Sequence, residues 1–183
     1  MTNRPDIIIA KAINWWQDFQ KIALMNCSSP ASRISLSWTI PPPGCLKINV
    51  YGALRESEML GTVGLVVRNH LGRFVAAKAL VFEFVSSPLH IEALTVWDGL
   101  LLVIQRGYHD IIIESDALQI VPTLHNGLPN GSLIGNIVED SKALLSTITG
   151  ATAAHTRRQN YEAAHLIARY ALSSLTSCSW TMV

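Results

Sequence analysis

The chain has 183 residues, enough for one ordinary domain and a short appendage, and 49 % of them are hydrophobic against 15 % charged, which excludes a disordered chain. A formal net charge of +1 provides no general basic field, so tight nonspecific nucleic-acid binding is disfavoured and only a local basic groove remains available. Three widely separated cysteines, Cys27, Cys45 and Cys178, without a Cys-x-x-Cys pair argue against a disulfide framework or zinc site and for a reducing compartment.

Residues 6–25 place Ile9, Ala12, Ile13, Trp16, Phe19, Ile22 and Ala23 three and four apart, an amphipathic helix with Lys11, Asn14, Gln17, Asp18 and Lys21 opposite. The apolar run before Lys11 is four residues long, too short for a signal-peptide core or a membrane span, so a soluble intracellular protein, cytoplasmic or nuclear, is expected. A Ser/Pro-containing linker over 26–37 and the Pro-rich lead-in "WTIPPPGC" put a domain boundary near Ser37, giving an N-terminal arm (1–37) and one domain (38–183).

From there strands are expected at Leu46–Tyr51, 62–69 and 73–82, the last two joined by the turn "NHLG". A helix from about Leu89 to Gln105 stops at Gly107, and "DIIIE" is too apolar for an edge strand. A helix capped by Ser115 or Asp116 follows, kinked or shortened by Pro122. A helix over 132–148, a weak strand around 148–155 and a helix over about 160–175 complete the chain. Three strands joined by short turns, then strand–helix alternation, predict an α/β fold with a five-stranded mixed sheet and flanking helices.

Three polar residues interrupt these apolar elements. Tyr51 ends the first strand before "GA", Glu92 is the acid in the opening turns of "PLHIEALTVW", and Asp116 leaves the buried strand "IIIESDA". If the first and fourth strands are neighbours, all three meet at one edge of the sheet. Carboxylates gathered there, without a Cys or His cluster, are the hard-oxygen set that suits Mg²⁺ or Mn²⁺ and phosphodiester hydrolysis. Taken singly, Asp116 suits a helix N-cap and Glu92 a first-turn acid favouring the helix dipole. Trp97 reads as core, and Trp38 and Trp180 as clamps on the ends of the domain.

The stretches "W-x-x-PPPG-x-x-KINV-x-GA", "GLVVRNHLGRFVAA", "EAL…GL", "ESDA" and "AAHLIA", in order over about residues 38–180, resemble plant ribonuclease H type-1 domains, the reverse-transcriptase-like kind also found in retroelement polyproteins. The resemblance implies a ribonuclease H-like fold, two Mg²⁺ (or Mn²⁺) ions and cleavage of the RNA strand of an RNA–DNA hybrid. It implies catalytic, metal-holding roles for Glu92 and Asp116, and a proton-transfer or product-release role for His155. The family's first aspartate falls on Tyr51 and its fourth acid on His165, a position where histidine is common in the plant branch. The asparagine before the last helix falls on Tyr161, with Asn160 one residue early. Gly52, Ala53, Arg157 and Arg158 become candidate nucleic-acid contacts.

Tyr51 is the departure that matters. A phenol carries no charge at pH 7. Losing one carboxylate contact removes roughly 4 kcal/mol of attraction per ion at ~4 Å and an effective dielectric of ~20. That weakens metal affinity by roughly a thousandfold, so hydrolysis is expected to be impaired. Glu114, two residues before Asp116, would share its sheet face and could compensate if the strand continues that far; otherwise it points toward solvent beside a cap. Two readings follow: an RNA–DNA hybrid ribonuclease with an incomplete site, or a non-catalytic, retroelement-derived module that binds nucleic acid or a protein partner, the latter through the N-terminal helix with Trp15 and Trp16.

Overall fold

The computed structural model describes residues 38–126, 133–156 and 162–181. The N-terminal helix, the linker and Arg157, Arg158, Asn160 and Tyr161 lie outside the described residues.

Strands β1 (Leu46–Arg55), β2 (Leu60–Arg68) and β3 (Phe74–Phe82) form an antiparallel meander. The β2–β3 turn is closed by Asn69, whose Oδ1 accepts from the Leu71 and Arg73 amides, and by Gly72 at φ +72°. Helix α1 (Pro88–Arg106) begins where Ser87 accepts from the His90 amide with Pro88 in the first turn, and ends at Gly107, φ +64°. Strand β4 (Ile111–Ser115), helices α2 (Ile120–Asn126) and α3 (Leu133–Thr147), strand β5 (Thr152–His155), helix α4 (Glu162–Ser174) and strand β6 (Cys178–Thr181) follow.

The sheet order is β5-β4-β1-β2-β3-β6, with β1, β4 and β5 mutually parallel. β4 is interior, as its apolar run requires, and β1 and β4 are neighbours. Alternation along β1 sorts its side chains between two helical layers. Val50 and Gly52 face α1, whereas Tyr51 faces α4. Helix α1 presses Ile91, Val96, Leu100 and Val103 into the core, and α3 covers it. Helix α4 lies on the other face through a small-residue stripe, Ala164, Ala168 and Ala171, seated over Gly64. The Thr62 hydroxyl donates to the Ala168 carbonyl at 2.8 Å and locks that contact.

Four expectations are corrected. The sheet has six strands, because Cys178–Thr181 pairs with β3; four residues are too few for alternation to be conspicuous in the sequence. β1 does not stop at Tyr51 but runs to Arg55, since β2 continues to pair with it through Arg55↔Leu60. Gly52 therefore lies inside the strand, where a Cβ would come within 2.8 Å of Thr95 Oγ1, so it serves close helix approach instead of a turn. Helix α2 starts at Ile120, four residues past Asp116, and Pro122 sits in its first turn, where its missing N–H has no helical partner to lose. Trp97 is half-buried and outside the core cluster.

A polar network lies on the α4 face of the sheet. Lys47 Nζ pairs with Glu114 at 2.7 Å and donates to the Thr39 carbonyl and hydroxyl. Asn49 donates to Glu114 at 2.9 Å and accepts from Trp38 Nε1 (2.9 Å) and Arg68 Nη1 (3.2 Å). The Trp38 ring packs on both cations, 5.5 Å from Lys47 Nζ and 4.9 Å from the Arg68 guanidinium carbon. Burial pulls the Arg68 guanidinium down to about 10, against the opposing charge of Glu114. Trp38 is thus a clamp on the lead-in.

Candidate functional site

The parallel ladder between β1 and β4 gives out at the pair Asn49↔Glu114. β4 ends one residue later, whereas β1 continues for six more residues against β2 alone. A notch therefore opens along the exposed edge of β1, at the C-terminal end of β4, a usual ligand position in α/β sheets. It holds a cavity of about 440 Å³ lined by β1 from Tyr51 to Leu54, by α1, by α4 and by Ser115 and Asp116.

The structure brings Tyr51, Gly52, Ala53, Glu92, Asp116 and His165 into this one cavity. Tyr51 and Asp116 reach it for the same reason: each lies two residues beyond the last parallel pair, Asn49↔Glu114. Glu92, one turn into α1, faces them from one side of the sheet and His165 on α4 from the other. The Tyr51 and His165 rings meet edge-on, with centroids 4.5 Å apart and planes at 73°. Burial raises the Glu92 carboxyl above the usual range, and the nearby charge of Asp116 raises it further. The two carboxylates therefore feel each other across the cavity.

The remaining candidates lie elsewhere. His155, the last residue of β5, is exposed and does not line the cavity, although its register partner Ser115 does. Glu114 is drawn away from the cavity into the buried pair with Lys47 and Asn49, so it supplies no substitute acid there. Its pairing follows from Lys47 and Asn49 lying on the same sheet face, and the "KIN" of β1 was the signal for it. Arg169 and Leu172 were not singled out from sequence. They follow His165 by four and seven residues, which puts all three on one helix face.

Among the described residues no three His, Cys, Asp or Glu side chains gather closely enough to hold a single ion. Two facing carboxylates nevertheless fit one hard cation, because each can supply oxygen and their mutual repulsion falls when a cation lies between them. They do not fit a pair of ions, since the adjoining wall offers a phenol and an imidazole where a bridging carboxylate is needed.

A family model described as reverse transcriptase-like matches residues 49–171, about two-thirds of the chain. The chain belongs to the reverse transcriptase-like family, within the ribonuclease H-like superfamily. Solved structures share the fold of this reverse transcriptase-like domain. Ribonuclease H1 of the halophilic archaeon Halobacterium salinarum is 20 % identical with TM-score 0.65, over 72 % of this chain and 99 % of that one. The N-terminal ribonuclease H domain of a Mycobacterium tuberculosis protein, solved as a fusion with maltose-binding protein, is 15 % identical with TM-score 0.63, over 71 % and 94 %. A compost-derived ribonuclease H1, LC11, solved in complex with an RNA/DNA hybrid, is 12 % identical with TM-score 0.62, over 71 % and 98 %. No curated protein matches the reverse transcriptase-like domain. Among its described residues no helix is long and apolar enough to cross a membrane.

Proposed function

We propose that this domain binds RNA–DNA hybrids in the notch beside β1, and that its metal-dependent hydrolysis of the RNA strand is impaired. The observation that carries the proposal is the Tyr51–His165 ring pair, standing in the cavity wall beside Glu92 and Asp116, the two carboxylates that line it among the described residues. Glu92 and Asp116 would hold Mg²⁺ or Mn²⁺, weakly. A bound ion would polarise the phosphodiester and acidify an attacking water.

The chain's own residues would do the rest. Gly52 and Ala53 offer backbone at the edge of β1 with no bulky side chain to obstruct a sugar-phosphate strand. His155, exposed at the end of β5 beside Ser115, would exchange protons at the margin of the site, and Arg157 and Arg158, which follow it in sequence, would contact phosphates. The histidine at position 165 supports membership of the plant-type branch, and a retroelement origin accords with it.

The test separates binding from turnover. The unmodified protein is expected to bind a hybrid in a salt-dependent manner and to cleave it slowly or not at all in Mg²⁺ or Mn²⁺. Tyr51→Asp is expected to raise metal affinity by orders of magnitude and to gain cleavage that Glu92→Gln then removes. Robust cleavage by the unmodified protein, lost in Glu92→Gln, would refute the impairment. Failure to bind any hybrid or single strand would refute the nucleic-acid assignment.

A further inference from the structure

The cavity has two ends of different chemistry. At the end next to β4 stand Tyr51, His165, Ser115, Asp116 and Glu92. Close contacts fix what lies further out. A Cβ on Gly52 would meet Thr95 and Ile91, and one on Gly61 would meet Ile91 and Val85, so α1 descends in number as β1 leaves β4. Arg55 donates to the Leu172 carbonyl at 2.9 Å, so α4 advances in number in the same direction. The outer end is therefore built from Leu54 on β1, Pro88 on α1 and Leu172 on α4, all apolar and all lining the cavity.

Between the two ends sits Arg169. It shares the cavity-facing side of α4 with His165 and Leu172 and has an exposed side chain. The seven residues from His165 to Leu172 advance about 10 Å along the helix, and the three from Tyr51 to Leu54 advance about 10 Å along the strand. The result is a trough with an acidic, hydroxyl-rich end, a guanidinium in the middle and an apolar end. Its volume of 440 Å³ falls within the range of about 300–1,000 Å³ typical of pockets that enclose a small molecule. That volume suits one nucleotide of a nucleic acid lying along the notch and not both strands of a duplex.

We propose that this trough takes up one unpaired ribonucleotide of the bound nucleic acid, with its phosphate on Arg169 and its base against Leu54, Pro88 and Leu172. The guanidinium matches the phosphate in charge and offers paired donors. The apolar end removes a base from water without reading its hydrogen-bonding edge, so recognition is tolerant of base identity. A phosphate on Arg169 lies between the apolar end and Glu92 and Asp116, the two carboxylates that would hold a cation. This inference rests on the nucleic-acid reading above and adds to it an unstacked nucleotide, which single strands and strand ends provide at least cost.

The probes are 5′-AMP, adenosine and inorganic phosphate, titrated calorimetrically into the full chain, with an RNA–DNA hybrid and single-stranded RNA as separate ligands. AMP is expected to bind at least tenfold more tightly than adenosine or phosphate alone. Arg169→Ala should weaken AMP about tenfold while leaving adenosine unchanged, and Arg169→Lys should restore part of the loss. Leu172→Ser should weaken adenosine and AMP alike. Arg106→Ala, at the far end of α1, should change nothing. Equal AMP binding by the unmodified and Arg169→Ala proteins overturns the inference. So does absence of AMP binding by a protein that still binds hybrid or single-stranded RNA, and this leaves the nucleic-acid reading intact. Loss of all three nucleic-acid ligands overturns both.

Discussion

Replacing Glu114 by glutamine tests whether the buried polar network positions the site. In the native chain the carboxylate meets Lys47 Nζ at 2.7 Å, accepts from Asn49 at 2.9 Å and provides the charge that opposes burial of Arg68. With charge centres ~4 Å apart and an effective dielectric of ~20, the Lys47 attraction alone is about 4 kcal/mol. Glutamine keeps an oxygen but takes the paired charge from buried Lys47, and removing one partner of such a pair costs roughly 3–5 kcal/mol. Thr39 still accepts from Lys47, so the lower end of that range, about 3 kcal/mol, is expected. Urea denaturation should show it as a lowered midpoint with an unchanged slope. Trp38 fluorescence should report the loosening early, because that ring packs on both cations. Lys47→Met in the same background should recover part of the loss. A cost below about 1 kcal/mol would refute the reasoning, since that is the scale of a solvated surface pair. The same variant is expected to loosen the site itself, because Asn49↔Glu114 is the last parallel pair before Tyr51 and Asp116.

Two further outcomes follow from the site. The Glu92 carboxyl is raised, so the folded chain binds its proton more readily than the unfolded chain does, and the stability it contributes is present at low pH and lost as pH rises through the raised value. Glu92→Gln should therefore melt at a higher temperature than the native chain at pH 7, with the gain vanishing below about pH 4; a melting difference independent of pH would contradict this. Gly64→Ala would place a Cβ against the Ala164 carbonyl oxygen and 2.6 Å from the Ala168 nitrogen, backbone that cannot yield as a side chain would. A loss of at least about 1–3 kcal/mol in denaturant unfolding is expected, and unchanged stability would mean that α4 does not lie so close to β2.

Much of this architecture is legible in the sequence. Alternation in "KINV", the Asn-Gly punctuated turn after β2 and the Ser-Pro start and glycine stop of α1 each carry a local cause, and each element lies within a few residues of its expected place. What local pattern could not reveal was pairing. The length of β1 depends on β2 remaining its partner to Arg55, and β6 exists only because β3 leaves it an edge to join. The convergence of Tyr51, Glu92, Asp116 and His165 on one cavity was legible through the family resemblance and the neighbouring of β1 and β4. Arg169 was not, because a lone arginine on a helix acquires meaning only once the opposite wall is known. Glu114 shows the converse: sequence spacing allowed it to serve the site, and the cations across the sheet claimed it.

The nine consecutive pairs that tie β1 to β2 flank position 51 on both sides. Its backbone is thus held by a scaffold indifferent to which side chain projects from it. Chemistry at that spot can be exchanged as a module, by drift or by design, without refolding the host. Strand pairing of this kind separates the inheritance of a fold from the inheritance of the groups it displays.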